Sequence, residues 1–320
     1  MPQPWETLPD RMPYLRRRAL LADGIRAFFR GRGYLEVETP CAVAAPGEEV
    51  HLRAFRTEPG GRYLHTSPEF AMKKLLAGGA EKIFQLARVW RDEPASATHA
   101  AEFTMLEWYR TGATLDDLMD ETAALLRAIL PPSVTWGGAT ASLADFERLS
   151  VAEAFFRHAG VDVLAAAGDA AALAAGAGAT LRDGEAWEDL FFRLLLERIE
   201  PNIGRAHPTF LTHWPAAQAA LARRDPADPR VAERFELYCC GIELANAFVE
   251  LTDATEQRAR FVADRVLRHK LHGPDWPIDE DFLAAVARLP PCAGIALGFD
   301  RLVMLATGAA RIADVMWLTP

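Results

Sequence analysis

Cysteine is scarce: four residues in 320, at Cys41, Cys239, Cys240 and Cys292, with no Cys-x-x-Cys pair. That spacing argues against a zinc site or a disulfide framework, and the four read as reduced core or strand residues of a cytoplasmic protein. His269 and His272 could share a helix face, but no nearby cysteine or third histidine completes a metal set. Long hydrophobic runs are missing too, since none approaches the roughly 20 apolar residues needed to cross a bilayer. Met1 to Glu6 has neither the basic start nor the apolar core of a secretory signal. Positive charge is in deficit, with 35 Lys and Arg against 44 Asp and Glu for a net −9. Bulk attraction to nucleic acid is therefore not expected, although Arg16-Arg17-Arg18 makes a local basic patch. No Gly-x-x-x-x-Gly-Lys-Ser/Thr loop and no Gly-x-Gly-x-x-Gly turn occurs, which sets aside two common nucleotide folds.

What is present is an ordinary soluble composition, 50% hydrophobic and 25% charged, in a length suited to one large domain or two small ones. Apolar spacing predicts a helix over Tyr14–Arg32, ended by Gly31 and Gly33, then a strand over Tyr34–Thr39 that stops at Pro40. Strand-like pieces follow at Val50–Arg56 and Arg62–Thr66, and a helix at Pro68–Leu76 with Ser67 as its cap. Lys82–Trp90 and Phe103–Tyr109 read as strands joined by a polar loop, and Leu115–Leu130 as an amphipathic helix. From about 150 to 200 the chain is alanine-rich and helical, read as a subdomain beside the sheet that carries no chemistry. Strand patterns return at Thr209–Trp214, Arg234–Cys240 and Ile242–Leu251, before helices at Ala254–His269 and Asp281–Leu289. Strands mostly adjacent in sequence, without regular βαβ alternation, predict an α+β fold: a mixed, mainly antiparallel sheet flanked by helices.

Three segments carry chemistry. In Ala293–Leu305, Gly294, Ala296 and Gly298 fall on one face of a strand, a floor on which a flat ligand can rest. Arg301 follows at the opening of a helix, where a guanidinium can meet phosphate; Asp300, taken alone, reads as a helix cap. Around Arg91, Glu93, His99, Glu107 and the neighbouring aromatics, a strand–loop–strand unit presents charges that are costly to bury unless paired or bound to a ligand. Glu236, Glu243 and Glu250 recur every seven residues, which on a helix would be one acidic stripe. Gly241 and the many branched and aromatic residues argue instead for a hairpin turning at Cys240-Gly241. A hairpin would cluster the carboxylates, and clustered carboxylates call for Mg²⁺ or a substrate ammonium.

The chain resembles class II aminoacyl-tRNA synthetases through their three motifs, in order: the helix ending in Gly33–Pro40, Phe84–Tyr109 and Gly294–Leu305. The lysyl branch is matched through Thr66-Ser67-Pro68-Glu69, Glu102–Tyr109 and Glu243-Leu244-Ala245-Asn246. Within that branch, Pro201–Gly204, Arg230–Glu236 and Leu251–Ala254 resemble the stand-alone paralogues that modify translation elongation factor P. The resemblance runs over nearly the whole chain, residues 1–320 read as one catalytic domain. Motif 1 begins near Tyr14, so the anticodon-binding barrel that precedes it in lysyl-tRNA synthetases is not expected.

The resemblance implies ATP-dependent activation of (R)-β-lysine, or lysine, and transfer to a lysine side chain of elongation factor P by a cytoplasmic homodimer that pairs through motif 1. Arg91 would hold the α-phosphate and the substrate carboxylate, and Phe103 and Arg301 would sandwich adenine. Asp92, Glu93, His99, Leu244 and Gly298 complete the implied ATP site, with Glu236 and Glu243 on Mg²⁺. Ser67, Pro68, Glu69, Tyr109, Glu250 and Ala296 would bind the diamino acid. Ala296 stands where lysyl-tRNA synthetases typically have Gly and the elongation factor P ligases have Ala. The chain departs from the family at His99-Ala100-Ala101-Glu102-Phe103, where the usual sequence is His-Asn-Pro-Glu-Phe and the Asn contacts ATP. The loop before it, Pro94–Thr98, also lacks the usual arginine. Two other readings stay open: a free-standing lysine-activating ligase with another carrier or small-molecule acceptor, and a catalytically weakened regulatory paralogue.

Overall fold

The computed structural model describes residues 5–47, 49–219, 221–273 and 276–319. Met1–Pro4, part of the Met1–Glu6 segment read above for a secretory signal, lie outside them. Its centre is an eight-stranded sheet: β1 (Leu35–Glu36), β2 (Lys82–Trp90), β3 (Glu102–Thr111), β4 (Glu147–Ser150), β5 (Thr209–Pro215), β6 (Val231–Cys239), β7 (Ile242–Val249) and β8 (Cys292–Gly298). The spatial order is β1-β2-β3-β8-β7-β6-β5-β4. Only the outer pairs β1/β2 and β4/β5 run parallel, and the others are antiparallel. The expected mixed, mainly antiparallel sheet is what forms.

Local chemistry explains the central hairpins. β6 turns into β7 through Cys240 and Gly241, both with positive φ (54° and 78°). That is the backbone a two-residue primed turn requires, and it settles the choice between stripe and hairpin in favour of the hairpin. β2 and β3 pair from Lys82↔Arg110 to Trp90↔Glu102 around the polar 91–101 loop.

Alternation then sorts the two faces. Phe84, Leu106, Trp108, Ala247, Ile295 and Leu297 point into the main core. There they meet α1 (Leu8–Arg30), α3 (Leu115–Ile129) and α9 (Phe299–Thr307). The opposite face carries cross-strand rows Tyr109–Gly294–Phe248 and Glu107–Ala296–Asn246–Glu236. α2 (Glu69–Ala77), α7 (Ala254–His272) and α8 (Glu280–Val286) cover part of it, stacking Phe70, Phe261 and Phe282. Residues 151–199 form α4 (Val151–Ala159), α5 (Ala170–Ala177), α6 (Trp187–Leu194) and a π-helical turn. Their apolar cluster closes on Leu211, Trp214 and Tyr238 of β5 and β6.

Three expectations need correction. α1 starts at Leu8 and runs through Pro13 rather than beginning after it. Arg11, in the extra turn, donates to the Met316 carbonyl at 2.5 Å, a tertiary anchor that offsets the backbone hydrogen bond Pro13 cannot make. Val50–Arg56 is not a strand. Its carbonyl at Arg53 accepts from Asp92 N at 2.9 Å, and only Arg56 bridges Tyr63.

Asp300 is not a cap either. It is 1% exposed, accepts Thr104 N at 2.6 Å, and forms a short ion pair with Arg18 of α1. Arg18 also donates to Thr104 Oγ1 at 2.9 Å. This buried knot joins α1, β3 and α9, and it fixes the helix turn that presents Arg301.

Candidate active site

A cavity of about 340 Å³ opens on the polar face of β3, β8 and β7. Its floor is the small-residue strand: Gly294, Ala296 and Gly298 all line it. At Gly294 the lack of a side chain is obligatory. A Cβ there would stand 2.1 Å from Tyr109 Cε1 and 2.8 Å from Glu250 Oε1.

One end gathers cationic and aromatic groups. Arg91, at the exit of β2, lies with its guanidinium carbon 5.3 Å from the Phe103 ring centroid, and its buried Nε has no hydrogen-bond partner among the described residues. An orphaned buried guanidinium donor is costly until an anion reaches it. Arg301 donates to the Glu243 carbonyl at 2.8 Å and contacts His99 Nε2 at 2.8 Å. Burial first, then the Arg301 charge, lowers the His99 pKa. The ring is thus held neutral with Nε2 as an acceptor, while Nδ1 meets Ser96 Oγ at 2.9 Å.

The other end gathers carboxylates. Glu107 is fully buried and accepts from Ser67 Oγ at 2.5 Å and from Tyr109 OH at 2.9 Å. Burial, reinforced by Glu69, pushes its carboxyl up to about 8. Ser67 Oγ also accepts Glu69 N at 3.0 Å, which fixes the first turn of α2. Glu250 is 1% exposed. It forms a close ion-pair contact with Lys73 through Oε2, and neither of its buried oxygens accepts a hydrogen bond of good geometry among the described residues. Burial drives the Lys73 ammonium toward neutrality, but the Glu250 and Glu69 charges outweigh it and the pKa rises. Lys73 therefore keeps its charge, while burial, with Glu69 and Glu107, pushes the Glu250 carboxyl up to about 8 against the pull of Lys73.

A third group of acids flanks the cationic end. Glu236 accepts from Arg234 and from Tyr238 OH, both at 2.6 Å. Burial and the Glu243 charge help push it up to about 8, although Arg234 opposes them. Glu200 is raised in the same way, by burial and then by Glu243. Carboxylates that raise one another in this manner are stabilised by a cation. Among the described residues no group of three or more His, Cys, Asp or Glu forms a ready metal cage. Mg²⁺ needs none when one or two carboxylates share it with substrate phosphates. Glu243, at the cavity wall, fits that pattern, and Glu236, across the hairpin, would join it by exchanging Arg234 or Tyr238 for the ion.

Of the residues singled out from sequence, the cavity brings together Ser67, Glu69, Arg91, Glu93, His99, Phe103, Tyr109, Glu243, Leu244, Ala296, Gly298 and Arg301. Pro68, Asp92, Glu236 and Glu250 do not line it. Asp92 points outward to Arg53, Pro68 is the N-cap of α2, and Glu236 sits behind the wall with both oxygens engaged. Glu250 stands just under the floor beside Gly294. Sequence reasoning put Glu107 on a ligand-facing strand without naming what it binds, and it left Asn246 without a role, although counting back by twos from Glu250 reaches it. It missed Lys73, whose signal was the four-residue step from Glu69. It also missed Glu49, which reaches the cavity from an irregular loop with no pattern to read.

Small-residue strand, arginine-bearing helix and arginine-headed hairpin on a mainly antiparallel sheet are the class II synthetase arrangement. A family model of class II tRNA synthetases (D, K and N) matches residues 9–319, and the chain belongs to that family. Within it, the chain falls among the elongation factor P–(R)-beta-lysine ligases. It is 44% identical to the protein of that name from Salmonella typhi over 331 residues, covering 99% of this chain and 97% of the relative. The Salmonella paratyphi A protein of the same name is 45% identical over 322 residues, 96% and 95% of the two chains. No helix among the described residues is long and apolar enough to cross a membrane.

Proposed function

We propose that this protein is an ATP-dependent ligase that activates (R)-β-lysine, or lysine, as an aminoacyl-adenylate and transfers it to a lysine side chain of elongation factor P. The observation that carries the reading is the polarity of one cavity. An unpaired buried Arg91 donor faces it at one end, and at the other Glu250, whose buried Oε1 has no hydrogen-bond partner among the described residues, lies just under the floor beside Gly294. A molecule with a carboxylate at one end and ammonium groups at the other satisfies both.

In the first step the substrate carboxylate attacks the ATP α-phosphorus and pyrophosphate leaves. Arg91 holds the two reacting anions together and meets the charge that builds between them, so positioning and electrostatics carry the step. Phe103 and Arg301 bracket the adenine by stacking and cation–π contact. Mg²⁺ held by Glu243 and Glu236 would neutralise the phosphates. Ser67, Glu69, Tyr109 and Glu250 orient the diamino acid. In the second step a neutral ε-amine of the acceptor attacks the acyl carbon, an amide forms, and AMP leaves.

Pairing through α1, where Leu20 is 62% exposed, with Leu35 of β1 65% exposed beside it, is part of the same reading and is tested by sedimentation. The activation step is tested by ATP–pyrophosphate exchange. Exchange that depends on (R)-β-lysine or lysine is expected, and no exchange with either would overturn the proposal.

A further inference from the structure

Lys73 is 2% exposed and has no part in the steps above. It lies one turn after Glu69 on α2, at the carboxylate end of the cavity. Its ammonium bridges two carboxylates, Glu69 Oε1 at 2.5 Å and Glu250 Oε2 in closer contact. It also stands 5.0 Å from the Phe248 ring centroid. A buried ammonium is retained only with such partners, and here the partners are themselves site residues. Lys73 takes one oxygen of Glu250, while the other stays buried and unpartnered beside Gly294 of the floor.

Charge leads to the same place. Glu69, Glu107 and Glu250 surround this end, and Lys73 offsets one of the three. Without it, Glu69 and Glu250 would face each other uncompensated. Like charges so placed make one carboxylate take up a proton, and the acceptor would lose both its aim and its charge.

We infer that Lys73 is a positioning and specificity-determining residue. It holds Glu250 in place under the floor at the substrate's ammonium end, and it offsets one carboxylate charge there. The inference rests on the amino-acid-activating reading of the cavity. The groups facing Glu250 are Lys73 and Glu69 from α2, Glu107 and Tyr109 from β3, and Cys292 from β8.

The test is ATP–pyrophosphate exchange with (R)-β-lysine and lysine, from pH 7 to pH 9, for the parent, Lys73→Met and Lys73→Arg. Exchange by the parent comes first, because its absence would sink the function proposed above rather than this inference. In Lys73→Met, KM for the diamino acid should rise at least tenfold, with kcat and the KM for ATP within twofold. That KM should also fall more steeply with rising pH than the parent's, because Glu250 without Lys73 sheds its proton less readily. Lys73→Arg keeps the charge and should keep KM within fivefold, with the parent's pH profile. Lys73→Met with an unaltered KM and pH profile, or with equal losses in kcat and both KM values, overturns the inference. Should Lys73→Met fail to fold, Lys73→Arg decides, and a diamino-acid KM that falls with pH more steeply than the parent's in that variant overturns it.

Discussion

Replacing Gly294 by alanine tests whether the floor serves the amino-acid end separately from the nucleotide end. The new Cβ would sit 2.1 Å and 2.3 Å from Tyr109 Cε1 and Cδ1, and 2.8 Å from Glu250 Oε1. Tyr109 is 3% exposed and Glu250 1%, so neither can swing into solvent. Relief requires the ring to tilt, which breaks its hydroxyl's bond to Glu107, or the strand to shift. Overpacking of this kind costs about 1–3 kcal/mol. If that cost falls on substrate binding, at about 1.4 kcal/mol per factor of ten, KM for the diamino acid should rise about 5- to 150-fold. The KM for ATP should change less than about twofold, because Arg91, Phe103 and Arg301 are untouched. Gly298→Ala is the control at the nucleotide end. Its Cβ would meet the Arg301 side chain at 3.5 Å (Cδ) and 3.7 Å (Cβ and Cγ), ordinary contacts, and the diamino-acid KM should hold. Exchange kinetics with each substrate varied in turn give the answer. An unaltered amino-acid KM in Gly294→Ala, or an equal rise in both KM values, would refute the reasoning.

The remaining predictions concern the knot behind the site, the charge in the cavity and its selectivity. Asp300→Ala leaves Arg18 buried without its carboxylate and should cost about 3–5 kcal/mol of unfolding free energy, read by urea denaturation; a loss below about 1 kcal/mol would contradict the ion pair's structural role. Glu107 is raised from 4.5 to about 8, so between those values the folded, ligand-free protein keeps a proton that the unfolded chain has released. Stability should therefore decline as pH rises through that window, and Glu107→Gln should flatten the decline in melts taken at several pH values. An identical slope in the variant would rule out Glu107 as its source. Ala296, paired across the sheet with Glu107 and Asn246, places one methyl beside the amino-acid end. Ala296→Gly should raise lysine activation relative to (R)-β-lysine by an amount worth about 1–3 kcal/mol, and an unchanged ratio of exchange rates counts against it.

How much of this was legible in the sequence depends on whether local pattern or distant contact decides each feature. β2, with its bounds, and the turn at Cys240-Gly241 follow from alternation and turn chemistry, which are local. The floor residues Gly294, Ala296 and Gly298 follow for the same reason. The first turns of α1 were not legible, because the hydrogen bond that secures them joins Arg11 to a carbonyl some 305 residues away. Asp300 looked like a cap because caps are local, yet its partners Arg18 and Thr104 are brought to it only by the fold. Lys73 reads as an ordinary charged position on an amphipathic helix until Glu250 arrives beside it from another strand. Val50–Arg56 alternates like a strand, and no sequence rule says that a loop will take its hydrogen bonds instead.

The most direct test of the central claim is mass spectrometry of elongation factor P incubated with this protein, ATP, Mg²⁺ and (R)-β-lysine or lysine. The predicted result is a mass increase of one lysyl or β-lysyl residue on a single lysine side chain of the factor, dependent on ATP and abolished in Arg91→Ala. An unmodified factor alongside active ATP–pyrophosphate exchange would contradict it and direct the search to another acceptor.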